Sequence, residues 1–235
     1  MKRKIGIILG SGLNKFSKEL NSPQLIYEDK NSFHNIEIIS GNINGNEVVL
    51  FSGRRHYYEG YPENKILFNV NMAVEMGLNF LIITNAAGGI NKNFRVSDLM
   101  LITSHLNFQQ KAILSKKNLV LYPKDTLNAV KNLSKKEKII LRTGSYCCNS
   151  GPNYETKSEI RFLSKLRIDA VGMSTVPEIL HANRSGIKTI GLSCITNILS
   201  EQSAGETRHE EVLEAGNNSF DNFSRLLKEI ISQSN

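Results

Sequence analysis

The sequence predicts an α/β fold in one domain, with a twisted central sheet flanked by helices, and three observations lead there. Short apolar runs of strand length alternate with segments of helical periodicity. Asn44-Gly45 stands between two strand-like runs, a strong hairpin signal. Glycine-rich or polar segments follow the strand-like runs at 10–12, 53–58, 84–89, 172–175 and 196–197, the rim where open α/β sheets bind ligands. A chain of 235 residues suits one sizeable core better than two small ones. No repeat or low-complexity linker divides it.

Ile5–Leu9 reads as a buried strand ending in Gly10-Ser11-Gly12. Ile36–Ile43 and Glu47–Phe51 read as the arms of the hairpin. Pro62 opens a helix with apolar positions at Ile66, Val70, Ala73 and Val74. Phe80–Thr84 is a buried strand running out into Asn85-Ala86-Ala87-Gly88-Gly89, and Leu99–Thr103 is another. Glu159–Leu166 is a helix, Ala170–Gly172 a short strand, Val176–Ser185 a helix and Thr189–Cys194 a strand. The last helix carries Val212, Leu213, Gly216, Phe220, Phe223, Leu227 and Ile230 on one face, a stripe directed at the core.

Hydrophobic residues at 40% and charged residues at 22% describe an ordinary globular protein. No apolar run reaches the length of a membrane span, and the N-terminus lacks a signal-peptide pattern, so a cytoplasmic protein is expected. The net charge of +7 raises nucleic-acid binding. Against it, the lysines are scattered, the pairs Lys116-Lys117 and Lys135-Lys136 lack interleaved aromatics, and no RNA-recognition or zinc-finger signature occurs. A small phosphate-bearing ligand explains the basic balance as well. Cys147, Cys148 and Cys194 form no C-x-x-C and read as buried thiols. The histidines show no metal spacing, so no metal is expected.

The most informative stretch is Gly53-Arg54-Arg55-His56-Tyr57-Tyr58-Glu59-Gly60-Tyr61. In an extended segment Arg54, His56 and Tyr58 share a face. A guanidinium fork and an imidazole suit a phosphate, and a phenol suits the sugar beside it; the alternative is a basic loop with solvated charges. Gly10-Ser11-Gly12 allows close backbone approach to an anion, or simply a tight turn. Asn85–Gly89 leaves backbone N–H groups open. In Gly172-Met173-Ser174-Thr175-Val176-Pro177-Glu178, Thr175 and Glu178 fit a capping box, which sets Ser174 at a helix N-terminus suited to phosphate. In Gly151-Pro152-Asn153-Tyr154-Glu155-Thr156, Thr156 and Glu159 fit a second capping box and leave Glu155 just outside. Tyr154 could stack on a planar ligand.

Together these segments resemble the trimeric, low-molecular-mass purine nucleoside phosphorylases. G-R-R-H-Y-Y-E-G-Y, T-N-A-A-G-G, G-P-N-Y-E-T, V-G-M-S-T-V-P-E, I-T-N and H-E-E-V-L-E-A-G occur in that family's order, from about Lys4 to the C-terminal helix. The resemblance implies a mixed central sheet of the nucleoside phosphorylase type. It implies that phosphate is held by Ser11, Arg54, His56, the backbone N–H of Ala86, and Ser174. It places Tyr58 and Met173 at the ribose, Tyr154 at the base and sugar, Glu155 and Asn197 at the purine, and His209 at the 5′-hydroxyl. His56, Glu155 and Asn197 are the catalytic candidates.

The implied reaction is phosphorolysis of inosine and guanosine, ribo- or deoxyribo-, in purine salvage. Inorganic phosphate is a co-substrate, no cofactor is needed, and the assembly is a homotrimer. Glu155 accepts from the N1–H of a 6-oxopurine, whereas adenosine presents a lone pair there. Methylthioadenosine phosphorolysis, or a non-catalytic purine- or RNA-binding role, are the competing readings. Two departures stand out: the chain starts directly at its first strand, and Gln109-Gln110-Lys111-Ala112 replaces a longer loop after Asn107. That loop usually sends an aromatic to the neighbouring subunit's ribose, and Phe108 is the candidate here.

Overall fold

The apolar run Ile5–Ile8 forms strand β1, buried along its whole length at the middle of a mixed sheet. The computed structural model describes residues 4–30, 34–109, 120–201 and 209–233, and for 209–213 the backbone alone. After β1 come β2 (Asn21–Asp29), β3 (Ile36–Ile43), β4 (Asn46–Ser52), α1 (Glu63–Ile66), α2 (Phe68–Glu75), β5 (Phe80–Gly89) and β6 (Leu99–Asn107). Then follow α3 (Lys124–Lys136), β7 (Leu141–Cys148), α4 (Lys157–Lys165), β8 (Ala170–Gly172), α5 (Val176–Arg184), β9 (Lys188–Ile198) and α6 (His209–Ser232).

The sheet order is β2-β3-β4-β1-β5-β8-β7-β6-β9, and β9 also pairs with β5. Strands β5, β8, β7, β6 and β9 therefore close into a ring, and β1, β4, β3 and β2 extend it as an open sheet. β1 runs parallel to both β4 and β5, which aligns the C-terminal ends of three strands. Side chains alternate across this sheet. Ile5, Ile7 and Leu9 join Phe223, Leu227 and Ile230 of α6 and Val130 of α3 in one core layer. Ile8 joins Val70 and Ala73 of α2 and Ile179 and Ala182 of α5 in the other. The described part of the α6 stripe is buried or half-buried, including Gly216, whose Cβ position would lie 3.0 Å from the Gly12 backbone. Val212 and Leu213 lie outside the described side chains.

The hairpin forms as expected: Asn44 and Gly45 both have positive φ, and Ile43 pairs with Asn46 across a two-residue turn. Elsewhere the structure corrects the sequence reading. The strand from Phe80 does not stop at Thr84. It continues through Gly89 because Gly88 and Gly89 pair with β8, and their missing side chains leave room for Leu199 and Ile195. The helix from Pro62 breaks at Leu67 into α1 and α2, and Val74 is exposed rather than core-facing. The strands expected at Leu99–Thr103 and Thr189–Cys194 are longer, running Leu99–Asn107 and Lys188–Ile198. Strands β2 and β7 and helix α3 went unread. β2 is an almost fully exposed edge strand with no alternation, and β7 carries Arg142, Thr143 and Gly144 in its first half.

Gly53 sits where β4 turns towards the site, at φ +80°, with the carbonyl oxygen of Asn35 only 2.0 Å from where a Cβ would be. Gly53→Ala should therefore destabilise the protein by more than the 1–3 kcal/mol of the backbone strain alone, read as the change in unfolding free energy in urea. A variant as stable as the parent would mean that this turn rearranges without cost.

Candidate active site

The strand ends surround one cleft of about 510 Å³. Ser11, Arg54, His56, Tyr58, Ala86, Tyr154, Glu155, Met173, Ser174 and Asn197 all line it. The ten come from loops and strand ends spread between residues 11 and 197, so only folding brings them together. His209 opens α6, and its side chain lies outside the described residues.

Arg54 anchors one end. Its Nε and Nη2 face the carboxylate of Glu178 on α5, at 3.1 and 3.0 Å, and Nη1 donates to the Thr84 carbonyl at 3.0 Å. Both side chains of the pair are at most 6% exposed. Thr84 also accepts from the Gly10 N–H through its hydroxyl and donates to the Ile8 carbonyl. One network thus joins β1, β4, β5 and α5. Gly10 crosses β5 so closely that a Cβ would stand 2.5 Å from Asn85 Cα. Arg55 points away from the cleft, ion-paired to Asp29 of β2 at 2.6 Å and lying over the Tyr61 and Phe68 rings.

The alternation of Arg54 and His56 holds, but the segment does not stay extended: Tyr57–Glu59 is a 3-10 turn. That turn stacks the Tyr58 ring on His56, centroids 4.9 Å apart. Glu59, three residues on, accepts from the His56 backbone N–H and meets His56 Nδ1 at 2.9 Å. Burial first, then Arg54 and His34, push the His56 pKa down to about 3. The ring is therefore neutral at pH 7. His34, His56 and Glu59 offer ligand-type atoms within 4.8 Å of one another, the one such group among the described residues.

The second capping box forms as expected, with Thr156 accepting from the Glu159 N–H. The first does not. Thr175 has φ +80° and ψ −49° and no capping bond. The Val176 N–H donates to the Ser174 carbonyl across it, a γ-turn of the rare strained form. Thr175 instead accepts from Asn85 Nδ2 at 2.8 Å, and Glu178 is committed to Arg54. The strained turn still puts Ser174 on the cleft at the start of α5.

At the opposite end, Glu155 is 4% exposed and accepts from Asn149 Nδ2 at 2.8 Å. Burial raises its pKa, and the Asn149 hydrogen bond is among the effects that oppose the rise. Asn197 follows a bulge: Ala87 pairs with Ile195 but Gly88 with Asn197, so Thr196 is the extra residue. Such bulges re-aim side chains beside functional sites. The Thr196 hydroxyl donates to Asn197 Oδ1 at 3.2 Å, which fixes that oxygen as the accepting side of the amide. Between the two ends, a Cβ at Gly151 would strike Met173 Sδ at 2.5 Å and the Tyr58 ring at 2.8 Å. The loop from β7 is therefore pressed against both side chains. All three cysteines are free and buried, and burial raises Cys147 to about 12, which keeps it a thiol.

The candidate residues share one cleft, and the chain that carries them is matched by known proteins. A family model described as the Phosphorylase superfamily matches residues 4–232. Purine nucleoside phosphorylase 1 of Bacillus subtilis is 38% identical over 98% of this chain and 92% of its own length. The chain belongs to the purine nucleoside phosphorylases. The solved Schistosoma mansoni member of the family superposes with a TM-score of 0.88 in complex with adenosine, at 27% identity, covering 99% of this chain and 91% of that one. Its complex with inosine gives 0.87 at 26% identity, covering 98% and 90%. The expected mixed sheet with flanking helices is the fold of this family.

Sequence reasoning passed over Glu178, Thr84 and Asn149. The sequence offers Glu178 only as the acid of a capping box with Thr175, and nothing local marks Asn149. Glu59 was legible, three residues from His56 in the quoted motif. Removing one partner of a buried ion pair strands the other charge, at about 3–5 kcal/mol. Glu178→Gln should lose stability of that order by chemical denaturation, and an unchanged midpoint would show that Arg54 finds another counter-charge.

Proposed function

We propose that this chain catalyses reversible phosphorolysis of 6-oxopurine nucleosides, ribo- and deoxyribo-. Inosine or guanosine and inorganic phosphate give the purine base and the pentose 1-phosphate. The observation that carries the reading is the single cleft with Arg54 and His56 at one end and the buried Glu155 carboxylate at the other.

In this reading phosphate is held by Ser11, Arg54, His56, Ser174 and the Ala86 N–H. A neutral His56 that gives its Nδ1–H to Glu59 keeps Nε2 as an acceptor for the P–OH of monohydrogen phosphate. Tyr58 and Met173 contact the ribose, and Tyr154 lines base and sugar. As the C1′–N9 bond breaks, positive charge develops on the sugar, stabilised by the phosphate, and the electron pair passes to the purine. A phosphate oxygen then bonds to C1′. Asn197 donates to N7 as negative charge builds there; losing one such donor costs about 10²–10³ in rate. His209 would reach the 5′-hydroxyl. No metal or other cofactor takes part, and His34 and Glu59 serve to orient His56. The resemblance also carries the proposals of a homotrimer and a cytoplasmic location. Phe108, half exposed beyond β6, is the aromatic available to a neighbouring subunit.

Purine release from inosine with and without phosphate tests the reaction. Release should require phosphate, and Arg54→Ala should mainly raise the phosphate concentration needed for half-saturation. Equal release without phosphate would make the protein a hydrolase, and no turnover would favour a binding role.

Base selectivity is tested separately. Adenosine sets a lone pair against Glu155, and an unpaired buried carboxylate costs about 1–3 kcal/mol. Hydrogen-bonding sites discriminate far better than apolar pockets. The ratio of kcat/KM for inosine over adenosine should therefore be large in the parent. In Asn197→Asp, which exchanges a donor for an acceptor, it should fall by well over tenfold. A parent that uses both substrates equally, or a ratio that does not move, would refute the assignment of the base end.

A further inference from the structure

We propose that Gln109 is a positioning residue for phosphorolysis, tying the loop that holds the base-recognising carboxylate to the loop that presents Met173 and Ser174. The inference rests on the function proposed above. Gln109 belongs to the segment that departs from the family pattern. It follows directly on β6: the Phe108 N–H donates to the Cys148 carbonyl, and the Gln109 N–H to Asn107 Oδ1 at 3.0 Å. These bonds fix the backbone, and the side chain then reaches across two neighbouring strand ends. Its Nε2 donates to the Asn149 carbonyl, just past β7, and to the Met173 carbonyl, just past β8, the latter at 2.9 Å.

Both carbonyls belong to residues that matter. Asn149 gives its own side-chain amide to Glu155, so anything that moves its backbone moves the carboxylate. Met173 lines the cleft and is followed by Ser174. Asn149 and Gly172 already share a backbone hydrogen bond at 2.8 Å, but Gly172 is the last residue of β8, and Met173 is the first beyond its strand pairing. Gln109 supplies the tie one residue further along, where the cleft begins. Its carboxamide also lines a small recess that shares Arg54, His56, Met173 and Ser174 with the main cleft. An amide is well suited here: two N–H donors meet two acceptors, which neither a hydroxyl nor a carboxylate offers.

The experiment compares Gln109→Leu and Gln109→Glu with the parent from pH 5.5 to 8.5, measuring kcat/KM for inosine, KM for phosphate and Tm. Displacements of an ångström remote from the chemistry cost on the order of 10²-fold, so Gln109→Leu should lose at least about tenfold in kcat/KM, equally at every pH. The introduced carboxylate of Gln109→Glu would face two carbonyl oxygens and lose more at high pH. Those oxygens and burial raise its pKa, and once protonated it regains one donor. Its activity relative to the parent should therefore climb as the pH falls, a trend that Gln109→Leu must lack. A variant with lowered Tm but parental kcat/KM, or two variants with the same flat pH response, would overturn the inference and leave Gln109 a structural residue. If Gln109→Leu does not fold, the pH response of Gln109→Glu decides alone. A parent that cleaves inosine only with phosphate, beside unaffected variants, would sink the Gln109 inference and spare the function. An inactive parent would sink both.

Discussion

The arrangement of the cleft depends on where the Arg54 guanidinium is held. Three of its nitrogens are engaged by Glu178 and the Thr84 carbonyl, so the fork has one orientation. Thr84 passes that constraint to β1 through Gly10 and Ile8, and the close crossing of Gly10 over Asn85 leaves no slack between the strands. The proposed anion end is thus built from the ends of three parallel strands whose register is fixed by two buried core layers. A long flexible cation is made rigid by burying its charge against another. Such pairing stabilises little in itself. Its yield is geometry, with donors fixed in place before any ligand arrives.

The same pairing sets the electrostatics. Glu178 offsets the Arg54 charge, and burial keeps His56 neutral. Phosphate in this reading meets oriented donors on hydroxyls and a backbone N–H, and an imidazole that accepts its P–OH, more than a block of positive charge. Fixed dipoles of this kind need no reorganisation when charge shifts from the sugar to the base. A strongly cationic pocket would hold phosphate more tightly and oppose the growth of positive charge at C1′. The net charge of +7 is consequently a poor guide to the site, although it agrees in sign with an anionic co-substrate.

Much of this was legible in the sequence, and the misses share a cause. Every proposed site residue with a described side chain lines the cleft. Arg54, His56 and Tyr58 stand in a segment whose composition itself suits a ligand, whereas the segments of Ser11 and Ala86 also read as plain turns and Asn197 is implied by the resemblance alone. The central strands were legible because burial on both faces leaves an unbroken apolar run. β2 was not, since its exposed edge position imposes no pattern, and what holds it is pairing with β3 and the Arg55–Asp29 contact. Thr175 and Glu178 matched the spacing of a helix cap, and spacing cannot reveal that a buried arginine 124 residues away claims the carboxylate. The bulge at Thr196 and the γ-turn at Thr175 are likewise imposed by neighbouring strands and helices. They leave no local signature, yet both aim a cleft residue.

The two ends of the cleft differ in how they are held, and that difference bears on how such a site can change. The anion end is bound into the sheet through backbone groups, Gly10, Thr84 and the Ser174 carbonyl, to which Tyr146 and Cys148 both donate. Altering it disturbs the core. The base end hangs from a chain of side-chain amides, Gln109 to the Asn149 backbone and Asn149 to Glu155, on loops beyond the strand ends. Single substitutions on those loops shift a donor or acceptor without touching the sheet, whereas Asn197, at the β9 bulge, is itself part of it. In the proposed reading, the loop-held part of base recognition is freer to change than the use of phosphate, which rests on contacts that also hold the strands together.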